Sequence, residues 1–154
     1  VGITLFSTPF DDTAVAFLEE LNTPAYKIAS FECTDLNLIK RAASTNKPLI
    51  ISTGMANDSE IGEAVDTALK FGSGELTLLH CVSGYPSPAA EYNLRTLADM
   101  KNRFGVHVGL SDHTLYNTTA IAAVALGAVM VEKHVTLDRN GGGLTIVFLW
   151  KKTV

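Results

Sequence analysis

Apolar residues along this chain fall into short dense runs separated by stretches in which they recur at helical intervals. The dense runs are ITLFST (3–8), AYKIAS (25–30), PLIISTG (48–54), LTLLHCVS (76–83), VHVGLSD (106–112) and VMVEKHV (129–135). Their length and β-branched content predict strands. They are near-continuous rather than alternating, which predicts strands covered on both faces, as in a parallel sheet with crossover helices. Between them, DDTAVAFLEELN (11–22) sets Val15, Leu18 and Leu21 on roughly one face behind an Asp cap. Further helices are predicted over 35–44, over 58–72 with an Asp or Ser cap and a Gly stop, over 92–105 ending in Gly, and over 117–128. Six βα repeats of about 25 residues each predict an α/β fold of the (β/α)8, TIM-barrel type. A complete barrel needs ~200 residues or more, and this chain has 154. The barrel is therefore expected to be incomplete, with about six βα units. No linker-like stretch divides the chain. One domain is expected over 1–143, followed by a divergent tail over 144–154, where the sequence turns abruptly apolar after GGG.

Composition narrows the function. The chain is 47% hydrophobic and 18% charged, with a net charge of −4. That is a globular balance without the basic stripe that nucleic acid requires. An anionic ligand would need locally placed cations. Cys33 and Cys81 stand in no paired or zinc-like spacing and read as buried reduced thiols, so a cytoplasmic location is expected. No charged-then-apolar leader opens the chain. The longest late apolar run, LTIVFLW (144–150), is far shorter than the ~20 residues of a membrane helix, so no membrane partner is expected.

Each predicted strand ends in polar groups: Ser7 and Thr8, Lys27 and Ser30, Ser52 and Thr53, His80 and Ser83, Ser111 and His113, Glu132 and His134. In a (β/α) barrel the carboxyl ends of the strands form the catalytic face. Polar groups at buried positions need partners, so six such clusters in register predict a functional mouth. By alternation Glu132 and His134 share a face, while Lys133 points the other way, towards the helices. Asp112 alternates away from Ser111 and His113 and reads as structural. His80 reads as a packing or hydrogen-bonding residue, and His107 as surface. The residues alone leave Lys27 open as an anion-binding cation, a Schiff-base lysine or a surface lysine. They leave the two histidines open as metal ligands or core residues.

Six motifs together carry a resemblance: FSTPFD (6–11), PAYKIAS (24–30), PLIISTGM (48–55), LLHCVSGYPSP (78–88), GLSDHT (109–114) and EKHVTLDR (132–139). In this order they resemble the sialic acid synthase family, from about residue 3 to Gly143. KIASFE and YNLRT resemble the pseudaminic acid synthase branch, with N-acetylneuraminate and legionaminic acid synthases as alternatives. The resemblance implies condensation of phosphoenolpyruvate with an N-acetylated amino sugar aldehyde, with C–O cleavage and release of phosphate. It assigns Thr8, Lys27, Ser52, Ser83 and Ser111 to phosphoenolpyruvate, and Tyr85 to the sugar. His113 and His134 would hold a divalent cation, Mn2+ or Mg2+, that polarises the aldehyde. Glu132 and His134 would be catalytic, with Glu132 orienting a water or the metal's surroundings. Two imidazoles alone imply a labile metal. A homodimer is the family expectation.

Two departures qualify that picture. The chain opens at what would be the third strand of the family barrel, and the sequence after GGG lacks the family's Pro-Asp and acidic, Phe-containing stretch. A truncated or frameshifted product with open sheet edges and little or no activity is expected. The alternatives are a noncatalytic remnant that inherits the motifs, and another barrel aldolase or lyase acting through Lys27.

Overall fold

The computed structural model describes residues 2–72, 75–136 and 150–151. Main-chain contacts divide the chain into two compact units, Val1–Leu78 and Leu79–Val154.

In the first unit, Asp11 accepts from the Ala14 N–H and opens helix α1 (Asp12–Glu20). Strand β1 (Tyr26–Ile28) follows. Asp35 caps α2 (Leu36–Ala43) by accepting from Leu38 N–H. Strand β2 (Leu49–Ser52) is buried at every position. Helix α3 (Asp58–Phe71) is capped by Asn57, not by Asp58 or Ser59 as the sequence suggests. Glu60 returns the bond to the Asn57 N–H, and this reciprocal pair satisfies two end donors at once, which is why the start moves back one residue. β1 and β2 run parallel in the register Tyr26↔Leu49, Lys27↔Ile50, Ile28↔Ile51. Val15, Ile28, Ile39 and Ile51 are fully buried there, each such side chain contributing about 1.5–3 kcal/mol. The buried Tyr26 hydroxyl donates to Glu19 Oε1 at 2.7 Å, and Lys47 Nζ meets the same oxygen at 2.6 Å.

The strand predicted over residues 3–8 does not form. Only Ser7 makes a bridge, parallel to Tyr26. Ile3 and Leu5 are 69% and 80% exposed. An outermost segment has backbone partners on one side only, and here nothing covers its apolar side chains.

β3 (Leu76–Cys81) carries the chain from the first unit into the second. In the second unit the helix predicted over 92–105 starts later. Ala89–Tyr92 is a 3₁₀ turn ended by left-handed Asn93, and α4 covers Thr96–Phe104. Gly105, at φ +66°, closes α4 in the left-handed conformation that glycine adopts without penalty. Strand β4 (His107–Asp112) is buried from Val108 onward. A Cβ on Gly109 would sit 2.5 Å from the Met130 carbonyl oxygen and 2.7 Å from Leu79 Cδ2, so only glycine fits against that chain. Helix α5 (Thr118–Ala125) leads to β5 (Val131–Lys133), parallel to β4 in the register Ser111↔Glu132 and Asp112↔Lys133. A two-residue strand β6 (Val135–Thr136) pairs in parallel with β7 (Trp150–Lys151). Most of the divergent tail expected over 144–154 lies outside the described residues. The strand order is β1-β2-β3-β4-β5. It follows the chain, as successive βα units require, and among the described residues this sheet has five strands rather than six.

Candidate functional site

In the first unit, Lys27 lies on β1 opposite Ile50, and Ser52 lies two residues beyond Ile50. In-register parallel neighbours, and residues two apart, share a face, so Lys27 and Ser52 point to one side of the β1–β2 pair. Both are buried, at 7% and 2% exposure. The Ser52 hydroxyl oxygen has no hydrogen-bond partner among the described residues. A buried hydroxyl without a partner is uncommon and calls for an explanation such as a bound group. Ser30 Oγ accepts from the Gly54 N–H at 3.2 Å, tying the end of β1 to the end of β2. Thr8 is half-buried beside the single bridge of Ser7.

In the second unit, β3, β4 and β5 end in one polar cluster. The Ser111 hydroxyl donates to Glu132 Oε1 at 2.7 Å, as their opposed register requires. His113 is buried. Its Nδ1 lies 2.8 Å from the Val82 carbonyl oxygen. A carbonyl can only accept, so Nδ1 carries a ring proton. Nε2 lies 3.3 Å from Ser111 Oγ, whose own proton is directed to Glu132. The rings of His113 and His134 have centroids 5.5 Å apart, and the half-exposed Tyr85 ring lies 4.1 Å from His113 and 5.5 Å from His134. Ser83 Oγ stands 3.9 Å from Cys81 Sγ, which is itself 3.9 Å from His113 Nδ1. Ser83, Tyr85, Ser111, His113, Glu132 and His134 thus come together.

The surroundings shift the acids and bases of this cluster. Burial pulls the His113 pKa down, but the contacts to Cys81 and the Val82 carbonyl and the Glu132 charge outweigh it, and the net shift is upward. Burial raises the Tyr85 phenol, with smaller contributions from Cys81 and Glu132. His80 is lowered by burial, against an opposing bond to the Tyr92 carbonyl. His80 therefore packs and hydrogen-bonds at its strand, and His107 is exposed, as their sequence positions suggest. On the opposite face of β4 and β5, Lys133 Nζ meets Asp112 Oδ2 at 2.7 Å and donates to the Thr114 carbonyl at 2.7 Å. Asp112 also accepts from the Thr114 N–H. This pair holds the turn after β4 from behind, which accounts for two charged residues that the cluster itself does not use.

Sequence reasoning missed Tyr92. Its hydroxyl accepts from the His113 N–H at 2.7 Å and donates to the Ser111 carbonyl at 3.3 Å. A tyrosine in an apolar periodic stretch reads as core, and no local signal marks the hydroxyl. Among the described residues no group of three or more His, Cys, Asp or Glu side chains converges on one cation position. No described helix is long and apolar enough to cross a membrane.

A family model described as the NeuB family matches residues 1–152. The chain belongs to the NeuB family. It is 46% identical over 140 residues to the pseudaminic acid synthase of Helicobacter pylori, a match covering 91% of this chain and 41% of that protein. It is 47% identical over 144 residues to the N,N'-diacetyllegionaminic acid synthase of Campylobacter jejuni, covering 92% and 43%. The chain thus spans about two fifths of the length of these NeuB-family relatives. Among solved structures, the spore coat polysaccharide biosynthesis protein SpsE of Bacillus subtilis superposes with a TM-score of 0.93 at 36% identity, covering 97% of this chain and 42% of that one. The N-acetylneuraminic acid synthetase of Leptospira borgpetersenii, in complex with citrate, gives 0.92 at 35%, covering 97% and 52%. A phospho-2-dehydro-3-deoxyheptonate aldolase of Thermotoga maritima, at 14% identity and a TM-score of 0.81 over 97% of this chain and 47% of that one, shares the fold alone.

Proposed function

We propose that this chain carries a phosphoenolpyruvate-binding and metal-binding part of a nonulosonic acid synthase, which joins phosphoenolpyruvate to an N-acetylated amino sugar aldehyde in the cytoplasm. The observation that carries the reading is His113: its Nδ1 proton is committed to the Val82 carbonyl, so Nε2, beside His134, is the nitrogen it can offer a cation. A histidine whose second nitrogen is anchored on a carbonyl is the usual form of a metal ligand. The donor set fits a divalent cation such as Mn2+ or Mg2+, with His113 and His134 as the residues that would hold it. When bound, such a cation supplies Lewis-acid polarisation of the sugar carbonyl.

The chain's own residues do the rest. Lys27 brings a buried ammonium and Ser52 a buried, unpartnered hydroxyl, both suited to a phosphate or carboxylate. We assign Thr8, Ser83 and Ser111 to the same substrate. Glu132, oriented by Ser111, holds or moves a proton at its carboxylate during the addition of water. Tyr85 offers its half-exposed ring to the sugar, and its position beside both histidine rings favours that role.

Titration calorimetry tests this on the chain as it stands, first with Mn2+ and then with phosphoenolpyruvate. Mn2+ binding that disappears in both His113→Ala and His134→Ala is expected, as is phosphoenolpyruvate binding weakened in Lys27→Met. Mn2+ binding that survives both histidine substitutions would overturn the metal assignment. Phosphoenolpyruvate affinity unchanged in Lys27→Met would overturn the anion assignment.

A further inference from the structure

His113 lies one residue beyond the end of β4, where the ladder with β5 has stopped. Its buried N–H and C=O still need partners. Both come from the segment between β3 and α4. The Tyr92 hydroxyl accepts the His113 N–H at 2.7 Å, and the Ser87 N–H donates to the His113 carbonyl at 3.1 Å. The Val82 carbonyl, in the same segment, takes the ring proton. Ser87 is in turn held by its own hydroxyl, which donates to the Gly84 carbonyl at 2.7 Å. Tyr92 is fully buried, and its own carbonyl is engaged by His80 Nε2. The phenol oxygen also donates to the Ser111 carbonyl, so one oxygen spans the main chain on both sides of Asp112.

We propose that Tyr92 is a positioning residue for His113, its phenol oxygen setting the end of β4 so that the imidazole presents Nε2 to the cation while Nδ1 stays on Val82. The proposal rests on the metal reading of His113, and it adds a residue 21 positions away whose hydroxyl meets the His113 main chain. Without that oxygen the His113 N–H would be a buried donor with no acceptor, and the backbone that aims the ring would have to move.

Tyr92→Phe keeps the ring and removes only the oxygen. Two readouts are made: Mn2+ affinity by electron paramagnetic resonance titration, and the His113 ring tautomer in metal-free protein by long-range 1H–15N NMR. Leu97→Ala, which truncates a buried apolar side chain of α4, controls for lost stability. We expect Tyr92→Phe to weaken Mn2+ binding about tenfold or more, in the range typical of lost support to a ligand. We also expect it to disturb the Nδ1–H signal, while folded Leu97→Ala changes neither. Mn2+ affinity within twofold of the parent with an unchanged tautomer would overturn the proposal, as would an equal loss in Leu97→Ala. Should the parent chain bind no Mn2+, the metal reading fails, and the ring spectrum alone then decides: a disturbed tautomer upholds the positioning role and an unchanged one ends it.

Discussion

Replacing Lys133 by methionine removes one charge of a pair whose side chains are 12% and 0% exposed, with Asp112 the fully buried partner. The ammonium donates to Asp112 Oδ2, to the Thr114 carbonyl and, at 3.2 Å, to the Tyr116 carbonyl. Lys133→Met leaves the Asp112 carboxylate buried with, among the described residues, only the Thr114 N–H for company. Removing one partner of a buried pair costs about 3–5 kcal/mol, mostly from the charge left behind. Lys133 keeps slight solvent contact, so the expected loss is about 3 kcal/mol, a large share of the ~5–15 kcal/mol that holds a domain together. Urea unfolding followed by far-ultraviolet circular dichroism measures it. The double variant Lys133→Met/Asp112→Asn removes the stranded charge and keeps an acceptor for the Thr114 N–H, so it should recover most of the loss. A Lys133→Met cost below about 1 kcal/mol, or a double variant less stable than the single, would refute the account of a buried, mutually dependent pair.

Ser52→Ala should leave stability unchanged or slightly raised in thermal melts, because the hydroxyl it deletes has no partner among the described residues, yet should weaken phosphoenolpyruvate binding about tenfold in calorimetry. Gly109→Ala should destabilise by about 1–3 kcal/mol in the same urea assay, since its Cβ meets the Met130 carbonyl, which belongs to the backbone and cannot rotate away. Glu19 has a pKa held below the ordinary carboxylate value, first by its bond to Lys47 and then by the Tyr26 hydroxyl. A depressed folded pKa adds stability that is complete above the unfolded value and lost as pH falls through the folded one. The stability gap between the parent and Glu19→Gln should therefore be open at neutral pH and close on acidification, and a gap constant with pH would contradict the pairing.

The βα order, the parallel pairing and the placement of polar groups at the strand ends were legible in the residues. Continuous apolar runs such as PLIISTG and VHVGLSD call for cover on two faces, and period-two alternation separates Ser111 and Glu132 from Asp112 and Lys133. ITLFST carries the same composition as the true strands, yet strand formation depends on having neighbours, which composition does not record. The choice of Asn57 over Asp58 as a cap turned on a reciprocal bond that several neighbouring polar residues were equally able to offer. The identity of the polar groups at the strand ends was thus a property of the sequence, because local spacing decides which face a side chain takes. The tautomer of His113, the partner of Lys133 and the support from Tyr92 were decided only in the tertiary structure, because each depends on atoms about 19 to 31 residues apart brought within hydrogen-bond distance.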